Sequence, residues 1–114
     1  MTLYGIKNCD TVRRARQWLN AHAVPHAFHD LRGDGLDAAE LERWPAAVGW
    51  ESLLNRRGTT WRRLTENQRS GIDHAKAIAL MLAEPTLIKR PVLVHGKTIY
   101  VGFSESDYAI LCDN

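Results

Sequence analysis

The hydrophobic pattern begins with a strand-like segment and then changes to a helical period. Leu3–Ile6 is rich in strand-forming residues and predicts a first β-strand. Apolar side chains then recur at the spacing of one helix face, which predicts a helix with Asp10 or Thr11 as its N-cap that ends before Pro25. The apolar positions of this face are Val12, Ala15, Leu19 and Ala23. His26–Leu31 alternates between polar and apolar residues, which predicts a second strand.

The middle of the chain, about residues 36–84, has a helical pattern in short pieces. Asp37–Glu40 has the spacing of a capping box and predicts the start of a helix that Pro45 is expected to end or bend. Further helices are predicted over Trp50–Asn55, after a second capping box at Thr65–Gln68, and after Asp73. The inner face predicted for the last of these helices consists of Ala75, Ile78, Ala79 and Leu82.

The last part of the chain predicts a hairpin and a helix. Pro91–Val94 and Thr98–Val101 are strand-like runs around a glycine-containing turn, and Ser104 is the predicted cap of a helix through Leu111. The order is therefore β-α-β, a helical block, and β-β-α. A right-handed βαβ unit makes the first two strands parallel, and the hairpin completes a mixed four-stranded sheet. This is the layout of a thioredoxin-like α/β domain with an inserted helical block.

Length and composition narrow the class of protein. A chain of 114 residues corresponds to one domain, and 45% hydrophobic with 25% charged residues is typical of a soluble globular protein. The net charge of +2 is too small to indicate direct nucleic-acid binding, and the longest apolar run, Ala77–Ala83, is too short to cross a membrane. The N-terminus has no export signal pattern. We therefore expect a cytoplasmic monomer with two free thiols.

Cys9 is the most informative residue. It directly follows a predicted strand and opens a predicted helix, where unpaired backbone N–H groups and the helix dipole favour an anion. Thr11 can donate its hydroxyl hydrogen to the sulfur, whereas the carboxylate of Asp10 competes for the same helix end. Positive charge near by comes from Lys7, Arg13 and Arg14. We expect a reactive thiolate; the alternative is a small buried apolar residue.

No second cysteine lies three positions after Cys9, where the sequence has Val12. The protein therefore has no Cys-x-x-Cys pair that could close its own disulfide. A mixed disulfide at Cys9 would need an external thiol, or Cys112, to resolve it. The alternative for Cys112 is an incidental thiol in an apolar helix.

Arg90 and Pro91 directly precede the predicted third strand. In a thioredoxin-like sheet this position faces the turn after the first strand, and we expect a cis peptide bond at Pro91. The Arg90 backbone would then pair with an extended thiol peptide, and its guanidinium would bind a carboxylate or an oxyanion in bidentate fashion. The alternatives are a solvated charge and an ordinary trans proline at a strand start.

Four segments together resemble the arsenate reductase (ArsC) family, and within it the Spx/YffB branch, most closely the YffB-like proteins. They are Leu3–Thr11, Asn55–Trp61, Leu87–Val92 and Val101–Phe103. The resemblance covers essentially the whole chain. It implies a thioredoxin-like domain with a helical insertion, a nucleophilic Cys9, and an arginine before a cis-proline at Arg90.

Departures from the family pattern distinguish its branches. The resemblance implies three arginines around the oxyanion in an arsenate reductase, but only Arg90 matches. The position of the first falls on Asn55, beside Arg56, and that of the last falls near Val101. The serine usual three residues after the cysteine is Val12. Each missing charge-assisted hydrogen bond is worth about 1.5–3 kcal/mol, which disfavours arsenate reduction. The Cys-x-x-Cys switch of Spx-type regulators is also missing.

The sequence therefore predicts a glutathione-dependent thiol–disulfide reductase, with glutathione as co-substrate and no permanently bound cofactor or metal. Its partners would be glutathione and an oxidised thiol or disulfide, with Cys9 and Arg90 as the catalytic residues. The predicted binding residues for glutathione are Asn8, Thr11, Arg13, Arg56 and Pro91. One alternative is an arsenate reductase. The other is an Spx-like adaptor that binds RNA polymerase through the basic helical block around Arg56 and Arg57.

Overall fold

The computed structural model describes residues 1–113, which form two compact units. One unit consists of residues 1–35 and the chain from residue 90 onward, and the other of Leu36–Lys89. The elements in chain order are β1 (Thr2–Gly5), α1 (Asp10–Ala21), β2 (Ala27–Asp30), α2 (Ala38–Val48), α3 (Trp50–Leu53), α4 (Thr59–Arg63), α5 (Glu66–Arg69), α6 (His74–Ala83), β3 (Val92–His95), β4 (Thr98–Val101) and α7 (Glu105–Leu111). A short 3₁₀ turn, Pro85–Leu87, follows α6.

The sheet of the first unit has the strand order β2-β1-β3-β4. In its centre, Leu3 of β1 lies opposite Phe28 in the parallel pair with β2 and opposite Leu93 in the antiparallel pair with β3. The β3–β4 hairpin turns at Gly96, whose positive φ of 61° suits glycine. The predicted mixed four-stranded sheet and the thioredoxin-like α/β class are confirmed.

The core of the first unit joins the sheet to α1 and α7. It is formed by the buried side chains of Leu3, Ala15, Leu19, Leu93 and Tyr108. Each fully buried large side chain contributes about 1.5–3 kcal/mol of hydrophobic free energy. The helical period of α1 is thus confirmed, except at its last position. The helix ends at Ala21, and Ala23 is exposed with a positive φ of 54° in the following turn.

In the second unit, α2 begins and ends differently from the sequence expectation. The Asp37 side chain accepts from the Ala39 N–H at 3.3 Å, but Glu40 accepts from Arg43 and from the Trp44 indole instead of closing a capping box. Pro45 does not end the helix, which continues to Val48. The ring of Pro45 is buried, so packing offsets the backbone hydrogen bond that proline cannot donate.

Two of the remaining helices of this unit, α5 and α6, are capped as predicted. Thr65 and Gln68 form a complete capping box, and Asp73 accepts from the Lys76 N–H at 2.9 Å. The predicted inner face of α6 is wrong in part, because Ala75 and Ala79 are exposed. The side chains that α6 buries are Ala77, Ile78 and Met81. An alanine-rich helix carries apolar residues on more than one face, so spacing alone does not identify the buried one. The sequence analysis did not define α4 as a separate helix.

Candidate active site

Cys9 is the N-cap of α1, at the end of a tight turn that follows β1. Its N–H donates to the Ile6 carbonyl at 3.2 Å, and its own carbonyl accepts from the Arg13 N–H at 2.9 Å. The backbone is extended, with φ −98° and ψ 126°, and the side chain is half-buried. Cys9 therefore directly precedes the first N–H groups of a twelve-residue helix, but its side chain makes no capping hydrogen bond to them.

The charged residues around this helix start partly neutralise one another. The Arg13 guanidinium forms an ion pair with Asp10 in the first turn of α1, and both side chains are exposed. An exposed pair of this kind is worth at most about 1 kcal/mol, so Arg13 can leave Asp10 for an anionic substrate at little cost. Asn8 is exposed in the preceding turn, and Thr11 is half-buried.

The Arg90–Pro91 peptide bond is cis, as predicted. Tyr4 of β1 lies opposite Val92 of β3, the last pair of this antiparallel register, and β1 ends one residue later, at Gly5. The peptide that precedes β3 and the turn that carries Cys9 are therefore at the same end of the sheet. Pro91 is buried and Arg90 half-buried.

Gly102 and Tyr108 belong to the same end of the sheet, and the sequence analysis assigned them no role. The Gly102 N–H donates to the Pro91 carbonyl at 2.8 Å, which adds one backbone pair beyond Val92 and Val101. Gly102 has a φ of 96°, which few other residues tolerate. The Tyr108 hydroxyl donates to the Gly102 carbonyl at 3.2 Å. The sequence feature that could have indicated this role is a glycine directly after a predicted strand, at Gly102.

The Tyr108 ring is completely buried among aromatic side chains. It makes edge-on contacts with three rings, at centroid distances of 4.8 to 5.8 Å: Trp18, Tyr100 and Phe103. Burial raises the pKa of the Tyr108 phenol well above its ordinary value, so the hydroxyl keeps its proton and remains a donor. Tyr100 donates to Asp107 at 2.5 Å, and that hydrogen bond raises the pKa of Tyr100.

Cys112 lies beside the C-terminal end of α1, whereas Cys9 lies at the N-terminal end of the same helix. It is the C-cap of α7 and lines a cavity of about 420 Å³ together with His22 and Val24, from the other end of α1. Thirteen residues separate Cys9 from His22, a rise of about 20 Å in a helix, whereas the Cα atoms of a disulfide lie within about 7 Å. The possibility that Cys112 resolves a disulfide at Cys9 is thus excluded by geometry in this fold.

Arg56 lies in the second unit. Its guanidinium is 5.5 Å from the Trp50 ring centroid and 5.9 Å from that of Trp61. Asn55, the preceding residue, makes two hydrogen bonds. Its N–H donates to the Leu87 carbonyl at 2.7 Å, and its side-chain oxygen accepts from the Arg57 N–H at 3.1 Å. The proposed contact of Arg56 with glutathione stays a prediction.

Several histidines have local partners. His22 Nδ1 lies 2.9 Å from the Trp18 carbonyl oxygen, and His29 Nε2 lies 2.5 Å from the Gly35 carbonyl oxygen.

Within residues 1–113, no three His, Cys, Asp or Glu side chains are grouped so that they could hold a metal ion. Over the same residues, no helix is both long enough and apolar enough to pass through a membrane.

The sequence is similar to one protein family and to individual proteins of several bacteria. The model of the ArsC family matches residues 4–111. A protein of Haemophilus influenzae without an assigned function is 44% identical over 108 residues, which cover 95% of each chain. The global transcriptional regulator Spx of Streptococcus pneumoniae is 26% identical over 109 residues, which cover 94% of this chain and 81% of Spx.

Solved structures of related proteins are similar to this chain over nearly its whole length. A YffB protein is 51% identical, with a TM-score of 0.94 and coverage of 97% of both chains. An arsenate reductase (ArsC) related protein from Brucella melitensis is 50% identical, with a TM-score of 0.76 and coverage of 96% of this chain and 91% of the other. The ArsC family match, over residues 4–111, includes the Cys9 turn and the Arg90–Pro91 peptide, which share one end of the sheet.

Proposed function

The chain belongs to the ArsC family, and we propose that it is a glutathione-dependent thiol–disulfide reductase with Cys9 as its single nucleophile. The observation that carries the proposal is the position of the Cys9 thiol. Cys9 is the N-cap residue of α1, at the same end of the sheet as the Arg90–Pro91 peptide. In the proposed function, the Arg90 backbone at this end would pair with an extended thiol peptide that Cys9 attacks.

The proposed reaction consists of two thiol–disulfide exchanges. The Cys9 thiolate attacks one sulfur of a substrate R–S–S–R′; the S–S bond breaks, and R′–S⁻ leaves with the electron pair and takes up a proton from water. Glutathione, as its thiolate, then attacks the sulfur of R in the mixed disulfide. This second step releases the Cys9 thiolate and forms a disulfide between R and glutathione. Each exchange oxidises one thiol sulfur to a disulfide and reduces one disulfide sulfur to a thiol, so R′ leaves as a thiol and glutathione takes over the disulfide bond to R. Where R is itself a glutathionyl group, the products are the R′ thiol and oxidised glutathione.

The chain supplies charge stabilisation and orientation. Cys9, at the positive end of the α1 dipole, is the attacking group in the first step and the leaving group in the second. Arg90 would bind a carboxylate of glutathione in bidentate fashion. Because Cys112 lies at the far end of α1, the second thiol must come from outside the chain.

Disulfide reduction is favoured over arsenate reduction because three positions that would bind an oxyanion in an arsenate reductase carry unsuitable residues. Val12 is completely buried and has no hydroxyl for an oxyanion. Val101, near the position of the third arginine, is an apolar residue of β4, and the side chain of Asn55 is hydrogen-bonded within its own loop. Arg90 alone provides few of the charge-assisted hydrogen bonds that a trivalent oxyanion needs.

A regulatory adaptor is the second candidate, and one charge pattern favours it. No acidic residue occurs between Glu51 and Glu66, although this segment contains four exposed arginines: Arg56, Arg57, Arg62 and Arg63. The similarity to Spx extends over the same region. Retention of RNA polymerase from cell extract by the protein, and its loss after Arg56→Glu with Arg57→Glu, would support this candidate over the reductase.

The reductase proposal is tested by mass spectrometry after incubation with oxidised glutathione. We expect one glutathione adduct on Cys9, its absence in Cys9→Ser, and its persistence in Cys112→Ser. Reduced glutathione should remove the adduct. An adduct confined to Cys112 would refute the proposal. Arsenate-dependent oxidation of glutathione that is lost in Arg90→Ala would favour the arsenate reductase instead.

A further inference from the structure

We propose that Tyr108 is a positioning residue for the Cys9 site, an inference that rests on the proposed function. Its hydroxyl would fix the Gly102–Pro91 backbone pair and thereby set how fast Cys9 exchanges with peptide disulfides. Tyr108 lies on α7, seventeen residues after Pro91, and does not act on the reacting sulfur itself.

A continuous series of hydrogen bonds leads from Tyr108 to the peptide before β3. The Tyr108 hydroxyl donates to the Gly102 carbonyl at 3.2 Å, and the Gly102 N–H donates to the Pro91 carbonyl at 2.8 Å. Both bonds involve the same glycine, which has a φ of 96° and whose backbone is freer than that of other residues because it lacks a β-carbon. An external restraint on Gly102 is therefore needed to hold Pro91 in one position.

Tyr108 is suited to this restraint because its own position is fixed. Its ring is completely buried and contacts three aromatic rings edge-on. Its N–H donates to the Ser104 carbonyl at 2.9 Å within α7. A buried hydroxyl donor also loses more than an exposed one when its acceptor moves, since no water replaces the bond. The restraint thus couples the packing of α7 to the Arg90–Pro91 segment.

The chain offers a matched control at Tyr100. Tyr100 contacts the Tyr108 ring, but its hydroxyl donates to Asp107 and not to Gly102. Tyr108→Phe and Tyr100→Phe each remove one hydroxyl from one aromatic cluster and keep the ring. Only Tyr108→Phe releases Gly102.

Two measurements on the full chain test the inference. In Tyr108→Phe, we expect the second-order rate of Cys9 with oxidised glutathione to fall about three- to tenfold, the effect of one hydrogen bond, while alkylation by iodoacetamide stays within about twofold. Hydrogen exchange at the Gly102 amide should become faster by a similar factor. Tyr100→Phe should change none of these values.

Unchanged Gly102 exchange in Tyr108→Phe, or equal losses in both variants, would overturn the inference. If wild-type Cys9 does not react with oxidised glutathione, the proposed function fails. The exchange rate of the Gly102 amide then still decides whether Tyr108 holds the Gly102–Pro91 pair.

Discussion

Gly5 and Val12 are packed as closely as a glycine permits. A β-carbon at Gly5 would lie 2.8 Å from both methyl groups of Val12, a distance that real β-carbons essentially never show. Gly5 ends β1, and Val12 is a buried residue in the first turn of α1. This contact sets how near the helix start, and with it Cys9, lies to the end of the strand.

Gly5→Ala should therefore destabilise the protein by about 1–3 kcal/mol, because the added methyl group overpacks a filled site. Urea denaturation measures this change in the free energy of unfolding. The displaced helix start should also change the alkylation rate of Cys9, which a reaction with iodoacetamide measures.

Val12→Ala provides the control for this prediction. It removes the two methyl groups that the new β-carbon would meet, so the double variant should be more stable than the sum of the single changes by about 1 kcal/mol. Additive effects of the two substitutions would show that Gly5 and Val12 do not clash as the structure requires.

A second prediction concerns the two cysteines. Because the cavity beside Cys112 is lined by the far end of α1, oxidation of the dilute protein with diamide should not produce an intramolecular disulfide. Mass spectrometry of a non-reduced digest detects the linked peptides. Cys112→Ser should leave the reaction of Cys9 with oxidised glutathione within about twofold of wild type. A Cys9–Cys112 peptide in the folded monomer would contradict the fold.

The sequence carried enough information for the sheet but not for the whole site. Leu3, Leu19 and Ser104 were identifiable because strand alternation, helical period and capping depend on neighbouring residues. The link from Tyr108 to Pro91 joins residues far apart in the chain, and no local pattern marks it. The helix through Pro45 escaped prediction for a related reason, since tertiary packing offset a strong local preference.

The Cys112 thiol should show a pH dependence set by its surroundings. Burial raises the pKa of Cys112, because the less polar environment disfavours the thiolate. In the Cys9→Ser variant, the alkylation rate should reach half its maximum at a higher pH in the folded protein than in the same protein unfolded in urea. A folded midpoint at or below the unfolded one would contradict this.

The same shift has a consequence for stability. A thiol with a higher pKa in the folded state favours folding as long as it is protonated. The contribution of Cys112 is therefore complete below the pKa of the unfolded chain and is lost as the pH rises through the folded pKa. Cys112→Ser should remove this part of the decline in the free energy of unfolding at alkaline pH, measured by urea denaturation at a series of pH values.

The charge of Arg90 gives a prediction that separates binding from reactivity. Oxidised glutathione carries carboxylates, whereas hydroxyethyl disulfide is neutral, and both offer Cys9 the same type of bond. Arg90→Ala should slow the reaction of Cys9 with oxidised glutathione by about tenfold or more, the effect of one charge-assisted hydrogen bond. The reaction with hydroxyethyl disulfide should stay within about twofold. Arg90→Lys keeps the charge but loses the bidentate geometry, so its rate with oxidised glutathione should lie between those of the wild type and Arg90→Ala. Equal slowing with both disulfides would mean that Arg90 shapes the site and does not bind the substrate's carboxylate.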